Sequence, residues 1–303
     1  MSTDYSDGAA WIRGQILPIA EATIGVTDWA LTHSDVTYDV VPVWEGAFFR
    51  LPDYLDRFEQ SMQACRMDVG LSSPEIEAAL NAMVARSGLR AAYCAMVAAR
   101  GAPLIPGSRD PRDCANHFYA WCVPYVHVLT PEVAEAGARL LLPDDIRRIP
   151  KDSVDPRAKN YHWGDFTQGL FAAKDQGLDN VVLADHAGNV TEGPGFNIFA
   201  LKGDTVTTPD RGVLQGITRR TVLELAREAG LKTEERPLPI AELLQADEVF
   251  LSTSGGGVVP VAQINDRSFG NGRPGPTGTS LRARYFDRLK DPAYRTEVTY
   301  DAT

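Results

Sequence analysis

Several features that would settle the function at a glance are missing from this chain. No apolar run is long enough to span a bilayer, and no basic segment followed by an apolar stretch marks an export signal. The four cysteines, Cys65, Cys94, Cys114 and Cys122, show no CxxC spacing, so neither a disulfide framework nor a zinc site is expected, and a reducing cytoplasm fits. Cys94 and Cys122 lie in apolar, strand-like segments and read as core residues. The five histidines, His33, His117, His127, His162 and His186, do not cluster as metal ligands would, and no metal is expected. Positive charge is also scarce: the formal net charge of -10 argues against nucleic acid, whose phosphate backbone needs clustered Lys and Arg.

What remains is a well-stocked globular chain, 303 residues long with 44% hydrophobic and 23% charged residues. That length suits two domains. In the first half, Val36, Tyr38, Val40 and Val43 recur in an extended pattern, and Trp44 to Phe49 resembles a hairpin. Pro52 opens a helix with Leu55, Phe58, Met62 and Cys65 on one face, and Ser73-Pro74-Glu75-Ile76 opens another. Strands follow at Ala91 to Ala99 and His117 to Leu129. A polar, proline-bearing stretch near 143–153 reads as a linker. Beyond it come a helix from about Asn160 to Gln176, strands at Val181 to Ala184 and Phe196 to Leu201, a helix from Gly216 to Ala229 and a strand at Glu248 to Ser252; Asn271 to Gly278 reads as a loop. The expectation is a mixed α+β and α/β chain, with an N-terminal α/β domain over 1–142 and a C-terminal α/β domain over 154–303.

Three stretches carry chemistry when read together. Thr191-Glu192-Gly193-Pro194-Gly195-Phe196-Asn197 puts a carboxylate in a Gly/Pro turn before an apolar strand, where it could meet a protonated ring nitrogen. Gly216-Ile217-Thr218 offers backbone N–H groups at a helix start, a setting that favours a phosphate, and Thr253-Ser254-Gly255-Gly256 adds hydroxyls and flexible backbone. Arg57 supplies a forked cation suited to a phosphate dianion. Together these suggest a phosphorylated heteroaromatic cofactor, pyridoxal phosphate, and call for a lysine. Lys159 sits beside aromatic residues that would desolvate it and favour its neutral, nucleophilic amine. Each residue alone has a plainer reading: an exposed helix-start lysine, a solvated turn glutamate, an ordinary helix cap.

Taken together with Thr32-His33-Ser34-Asp35-Val36-Thr37-Tyr38-Asp39-Val40, Trp44 to Leu51, Asp155 to Asp165 and Thr208 to Arg219, the chain resembles the fold-type IV pyridoxal-phosphate aminotransferases. Within them it is most similar to the (R)-selective amine transaminases. The resemblance implies a two-domain, D-amino acid aminotransferase-like fold with the cofactor between the domains. Lys159 would be the Schiff-base lysine and proton shuttle, Glu192 the partner of the ring nitrogen, and Arg57, Ile217, Thr218, Thr253 and Ser254 the phosphate ligands. It further implies a homodimer in which the loop around His33 closes the neighbouring pocket, and a substrate pocket lined by Tyr38, Val40, Tyr93, Ala95 and Trp163.

Two positions depart from that pattern. Members of the group often carry an acidic residue where this chain has Ala95, and a mobile, carboxylate-binding arginine where it has Pro106. Arg109, Arg112 or Arg100 could take over that arginine's task, Arg109 having the best reach. The implied activity is amino-group transfer from an (R)-amine, and potentially a D-amino acid, to a keto acid such as pyruvate. The alternatives are a D-amino acid or branched-chain aminotransferase, an aminodeoxychorismate lyase-like enzyme, and a silent binding protein.

Overall fold

The computed structural model describes residues 4–300, which divide into two compact units. The first runs to Val126 and includes Ala158–Tyr161 and the chain from Leu289 onward; the second comprises His127–Arg157 and His162–Arg288. The division therefore falls after Val126, residues 143–153 lie inside the second unit, and the four residues around Lys159 return to the first.

The first unit is a seven-stranded sheet. Strands β1 (Ala9–Ile12), β2 (Gln15–Pro18), β3 (Val36–Trp44), β4 (Ala47–Phe49), β5 (Ala92–Ala99) and β6 (His117–Pro124) join a C-terminal strand, Arg295–Glu297, in the order Arg295–Glu297, β4, β3, β5, β6, β1, β2. The expected hairpin is present: Trp44 pairs with Ala47, and Glu45 and Gly46 turn the chain with φ of 49° and 81°. Two central residues in the left-handed region match the right-handed twist of the flanking strands. A short helix, α1 (Trp29–Thr32), precedes β3, and α2 (Leu51–Ala64) and α3 (Ser73–Ser87) follow β4. Leu51, Tyr54, Leu55, Phe58 and Met62 form the buried face of α2, and α3 starts on a Ser72–Glu75 capping box.

The second unit is built on a sheet whose main path runs β13, β12, β11, β15, β16, β7, β8. Its strands are β7 (Ala138–Leu141), β8 (Asn180–Val181), β10 (Glu192–Gly193), which hairpins onto β11 (Phe196–Lys202), β12 (Thr205–Thr208), β13 (Lys232–Glu235), β15 (Glu248–Thr253) and β16 (Gly257–Ile264); β9 (Asn189–Val190) and β14 (Leu238–Pro239) form a separate pair. Its helices are α4 (Pro131–Ala136), α5 (Gly164–Asp175), α6 (Ile217–Glu228), α7 (Ile240–Leu243) and α8 (Pro276–Arg288). Leu140, Ile198, Leu251, Val259 and Ile264 are among its fully buried core residues.

Four expectations shift. The strand expected to Leu129 ends at Pro124, because Pro131 and its Thr130 cap open α4 shortly after. The helix expected from Asn160 starts at Gly164, because Lys159 is held in an extended pairing with β3: Tyr38 N donates to Lys159 O at 3.2 Å. The strand expected over Val181 to Ala184 is shorter, with β8 ending at Val181 and Ala184 making isolated bridges. The loop expected to Gly278 gives way to α8 at Pro276. Among the described residues no helix is long and apolar enough to cross a membrane.

Candidate active site

The lysine sits where the chain runs beside β3. Thr37 Oγ1 donates to Lys159 O at 2.7 Å, and Thr37 and Asn160 form an antiparallel bridge. Side chains alternate along extended chain, so Lys159 and Tyr161 share a face. Lys159 Nζ lies 4.5 Å from the Tyr38 ring centroid, and the Tyr161 ring stacks on Tyr38 at 3.9 Å. A partly buried lysine against an aromatic face is held in one direction by the ring's negative quadrupole.

The sheet continues this face. Register places Tyr38 beside Val97, Val40 beside Ala95, and Ala95 in turn beside Trp121. Val36, Tyr38, Val40, Ala95 and Val97 are buried as one cluster, with Tyr93, Tyr119 and Trp121 packed against it. Tyr93 and Trp121 stack at 5.6 Å. Burial pushes the Tyr93 hydroxyl up to about 12 despite the opposing pull of Lys159, and burial likewise lifts Tyr119 to about 12. Both phenols stay protonated near neutrality. Tyr38, Val40, Tyr93 and Ala95 thus share one face, as the alternation of β3 and β5 requires. Tyr119 and Trp121 were missed, although the same alternation through His117-Phe118-Tyr119-Ala120-Trp121 carried the signal, and so was Tyr161, two residues beyond Lys159.

Arg57, expected as a phosphate ligand, makes a forked ion pair. Its Nε donates to Asp39 Oδ2 at 2.7 Å and its Nη2 to Asp39 Oδ1 at 2.6 Å. His33 caps the C-terminus of α1, exposed and stacked on Trp29 at 4.3 Å. Of the three loop arginines, Arg100 is buried and spent on Asp35 and on the carbonyls of Cys65 and Arg66, while Arg112 pairs with Asp110. Arg109 is exposed, with no ion pair among the described residues.

In the second unit Glu192 is buried and paired. Its Oε2 accepts from Leu214 N at 2.8 Å, and Arg148 reaches its Oε1 from 3.3 Å. Arg148 is itself fixed by Asp165, at 2.8 Å, and lies over the Phe166 ring at 4.1 Å. Arg148 and Asp165 were not foreseen; nothing local in sequence links residues this far apart to Glu192. Trp163 stands just before α5, its ring edge-on to Phe166 at 5.7 Å.

Glu192 and Asn197 face each other across the β10–β11 hairpin and both grip the next loop, Asn197 Nδ2 donating to Leu214 O at 2.9 Å. That loop delivers Gly216 as the cap of α6. Glycine is required there, because a Cβ would lie 2.3 Å from Asn197 Oδ1. Arg219 holds the same loop through Gln215, Glu235 and Pro209 O. The first-turn N–H groups of α6, from Ile217 and Thr218, have no intrahelical partner. Thr218 Oγ1 and Ser252 Oγ are buried with no hydrogen-bond partner among the described residues. Thr253 Oγ1 accepts from Gly255 N at 3.1 Å, which bends the chain after β15. Orphaned hydroxyls beside a helix start are the donors a phosphate takes up, so these residues fit a phosphorylated cofactor.

Comparison with known proteins gives the family. The amino-transferase class IV sequence model matches residues 37–264, and the chain belongs to that family. It is a pyridoxal-phosphate-dependent aminotransferase. It is 29% identical over 280 residues to a putative branched-chain-amino-acid aminotransferase of Methanocaldococcus jannaschii, covering 91% of this chain and 95% of that one. It is 27% identical to the D-alanine aminotransferase of Bacillus licheniformis, covering 87% and 91%. Among solved structures, the branched-chain amino acid aminotransferase of Thermobaculum terrenum in its pyridoxal-phosphate form superposes with a TM-score of 0.86 at 27% identity, over 98% of this chain and 100% of that one.

Proposed function

We propose that this enzyme transfers an amino group from an (R)-amine to a keto acid such as pyruvate, in two half-reactions on one cofactor. One observation carries the reading. On the face around Lys159, positions 36, 38 and 40, 93, 95 and 97, and 119, 121 and 123 hold only Val, Ala, Tyr and Trp. A carboxylate pressed against these side chains would lose water and gain no partner from them, so that of the keto acid has to reach Arg109 instead, whereas the apolar substituents of a simple amine fit the wall. Ala95, where related amine transaminases often carry an acid, removes the one charge expected there.

When bound, pyridoxal phosphate supplies the aldehyde carbon that receives the amino group and a conjugated ring that draws electrons from the reacting carbon. Lys159 would carry the cofactor, and its Nζ, once released, would take the α-proton of the substrate and hold it for return. Glu192, which accepts from Leu214 N and faces Arg148, would pair with the ring nitrogen. Ile217, Thr218, Thr253, Ser254 and Arg57 hold the phosphate. Arg109 binds the carboxylate of the keto acid, supported by its exposure on the loop and by the engagement of Arg100 and Arg112 elsewhere. Trp163 borders the substrate, and the enzyme works as a homodimer in the cytoplasm, with His33 serving the neighbouring pocket.

The test is the visible spectrum of the purified enzyme as (R)-1-phenylethylamine, its (S) enantiomer, D-alanine, L-glutamate and a branched-chain L-amino acid are added separately. The expected result is loss of the yellow band with the (R)-amine, with or without D-alanine, and its return with pyruvate. The names of the relatives favour a second reading, a branched-chain aminotransferase. Bleaching by L-amino acids alone would establish that one instead.

A further inference from the structure

The start of α6 is braced by a cation where a helix ordinarily places an acid. Its first turn has no acidic residue but carries Arg219, whose side chain is only 4% exposed. A positive charge there opposes the helix dipole. Arg219 Nη1 donates to Gln215 Oε1 at 3.0 Å and to Glu235 Oε2 at 2.8 Å, and Nη2 donates to Pro209 O at 3.0 Å. Gln215 Nε2 in turn donates to Asp210 O at 3.4 Å, so one guanidinium ties both ends of the loop from Pro209 to Gln215 to the helix that follows it. The cap is equally tight: a Cβ on Gly216 would lie 3.2 Å from Arg219 Cβ. Arg219 Nε is buried with no hydrogen-bond partner among the described residues.

An arginine that served stability alone would neither sit against the positive end of a helix nor leave a buried donor unpaired. A phosphate dianion at the same end reverses the sign of that cost, since it is attracted to helix and guanidinium alike. Two further side chains point to such an anion. The hydroxyls of Thr218, in the same turn, and of Ser252 are buried with no hydrogen-bond partner among the described residues. Ser252 pairs with Asn197, which pairs with Glu192, so the three share one face of the sheet. We propose that Arg219 is a positioning residue for the cofactor phosphate: by clamping the loop to α6 it fixes the Gly216 turn and holds the Ile217 and Thr218 N–H groups in one orientation. This rests on the reading of Ile217 and Thr218 as phosphate ligands.

The test compares two ligands on the full chain stripped of cofactor: pyridoxal phosphate, and pyridoxal, which lacks the phosphate. Arg219→Lys keeps the charge but loses the fork that reaches Gln215, Glu235 and Pro209 together. It should raise the Kd for pyridoxal phosphate roughly tenfold, the scale of one charge-assisted contact, and leave that for pyridoxal within about twofold. Glu235→Ala removes an exposed anchor of the same guanidinium and should show a weaker loss in the same direction, about threefold. Added to Arg219→Lys, it should cost less than the two changes made singly would predict. An unchanged or lower Kd for pyridoxal phosphate in Arg219→Lys overturns the proposal, as does an equal loss for both ligands, the mark of a brace that serves the fold alone. If Arg219→Lys does not fold, Glu235→Ala decides, and an undiminished preference for the phosphorylated ligand overturns the proposal. A wild-type chain that binds both ligands equally overturns the reading of Ile217 and Thr218 as phosphate ligands, and this proposal with it.

Discussion

The face around Lys159 and the loop set around Glu192 solve opposite problems with opposite materials. The first is a wall of phenols, an indole and aliphatic side chains on β3, β5 and β6, where Lys159 lies against the Tyr38 ring and the Tyr93 and Tyr119 hydroxyls are kept protonated by burial. The second is a chain of buried charges, Asp165 to Arg148 to Glu192, closed by backbone N–H groups and a glycine-led helix start. A wall of the first kind discriminates by shape, and loses or gains only about 1–3 kcal/mol per methylene or so. A network of the second kind fixes one protonation state and one geometry, and breaks as a unit. Substitutions in the first region should therefore retune the enzyme, apart from Lys159, and substitutions in the second should disable it.

The largest effect tests the exception. Lys159→Ala should fold, judged by an unchanged circular dichroism spectrum, and show no amino transfer in a coupled pyruvate assay; measurable turnover would remove the lysine from its role. Next comes the charged region. Glu192→Gln keeps the volume and one acceptor for Leu214 N, but it cannot carry the negative charge that Arg148 faces. Turnover should fall on the order of a hundredfold, the scale of a preorganised electrostatic contact, with the cofactor still bound. If Glu192→Gln keeps near-normal kcat while a conservative change such as Tyr38→Phe abolishes it, the contrast between the two regions is inverted.

What the sequence made legible divides along the same line. Turns and helix starts are written in local chemistry: Glu45-Gly46 closing a hairpin, Pro74 opening α3, and Gly216 opening α6 were each readable because the backbone there admits few residues. The wall was half readable, since period-two alternation places Tyr93 and Ala95 together but says nothing of which strand lies beside β5 until Ala95 is seen to pair with Trp121. The charged partners were invisible. Arg148 and Asp39 look like ordinary polar residues in sequence, and only the folded chain brings them within 3.4 Å of Glu192 and 2.7 Å of Arg57. The short α4 and β7 were missed for a related reason: six and four residues are too few for a period to declare itself.

The smallest effect concerns alkali, and it separates the regions by pH. Tyr93 and Tyr119 are each raised from 10.0 to about 12, burial being the main cause in both. In the unfolded chain they ionise near the ordinary value, whereas the folded chain keeps them neutral for longer. Between those values the unfolded state binds fewer protons, so stability is fully present below pH 10.0 and declines as pH rises toward 12. Replacing both residues with phenylalanine removes the ionisations while keeping the rings that stack on Trp121 and beside His117. Thermal melting followed across that window should then show a shallower fall with pH than the wild type, with little change at pH 7 beyond about 1 kcal/mol for each lost hydroxyl. Equal slopes would mean that these phenols meet water in the folded enzyme, and the wall around Lys159 would then be wetter and more tolerant of a substrate carboxylate than an amine-selective site requires.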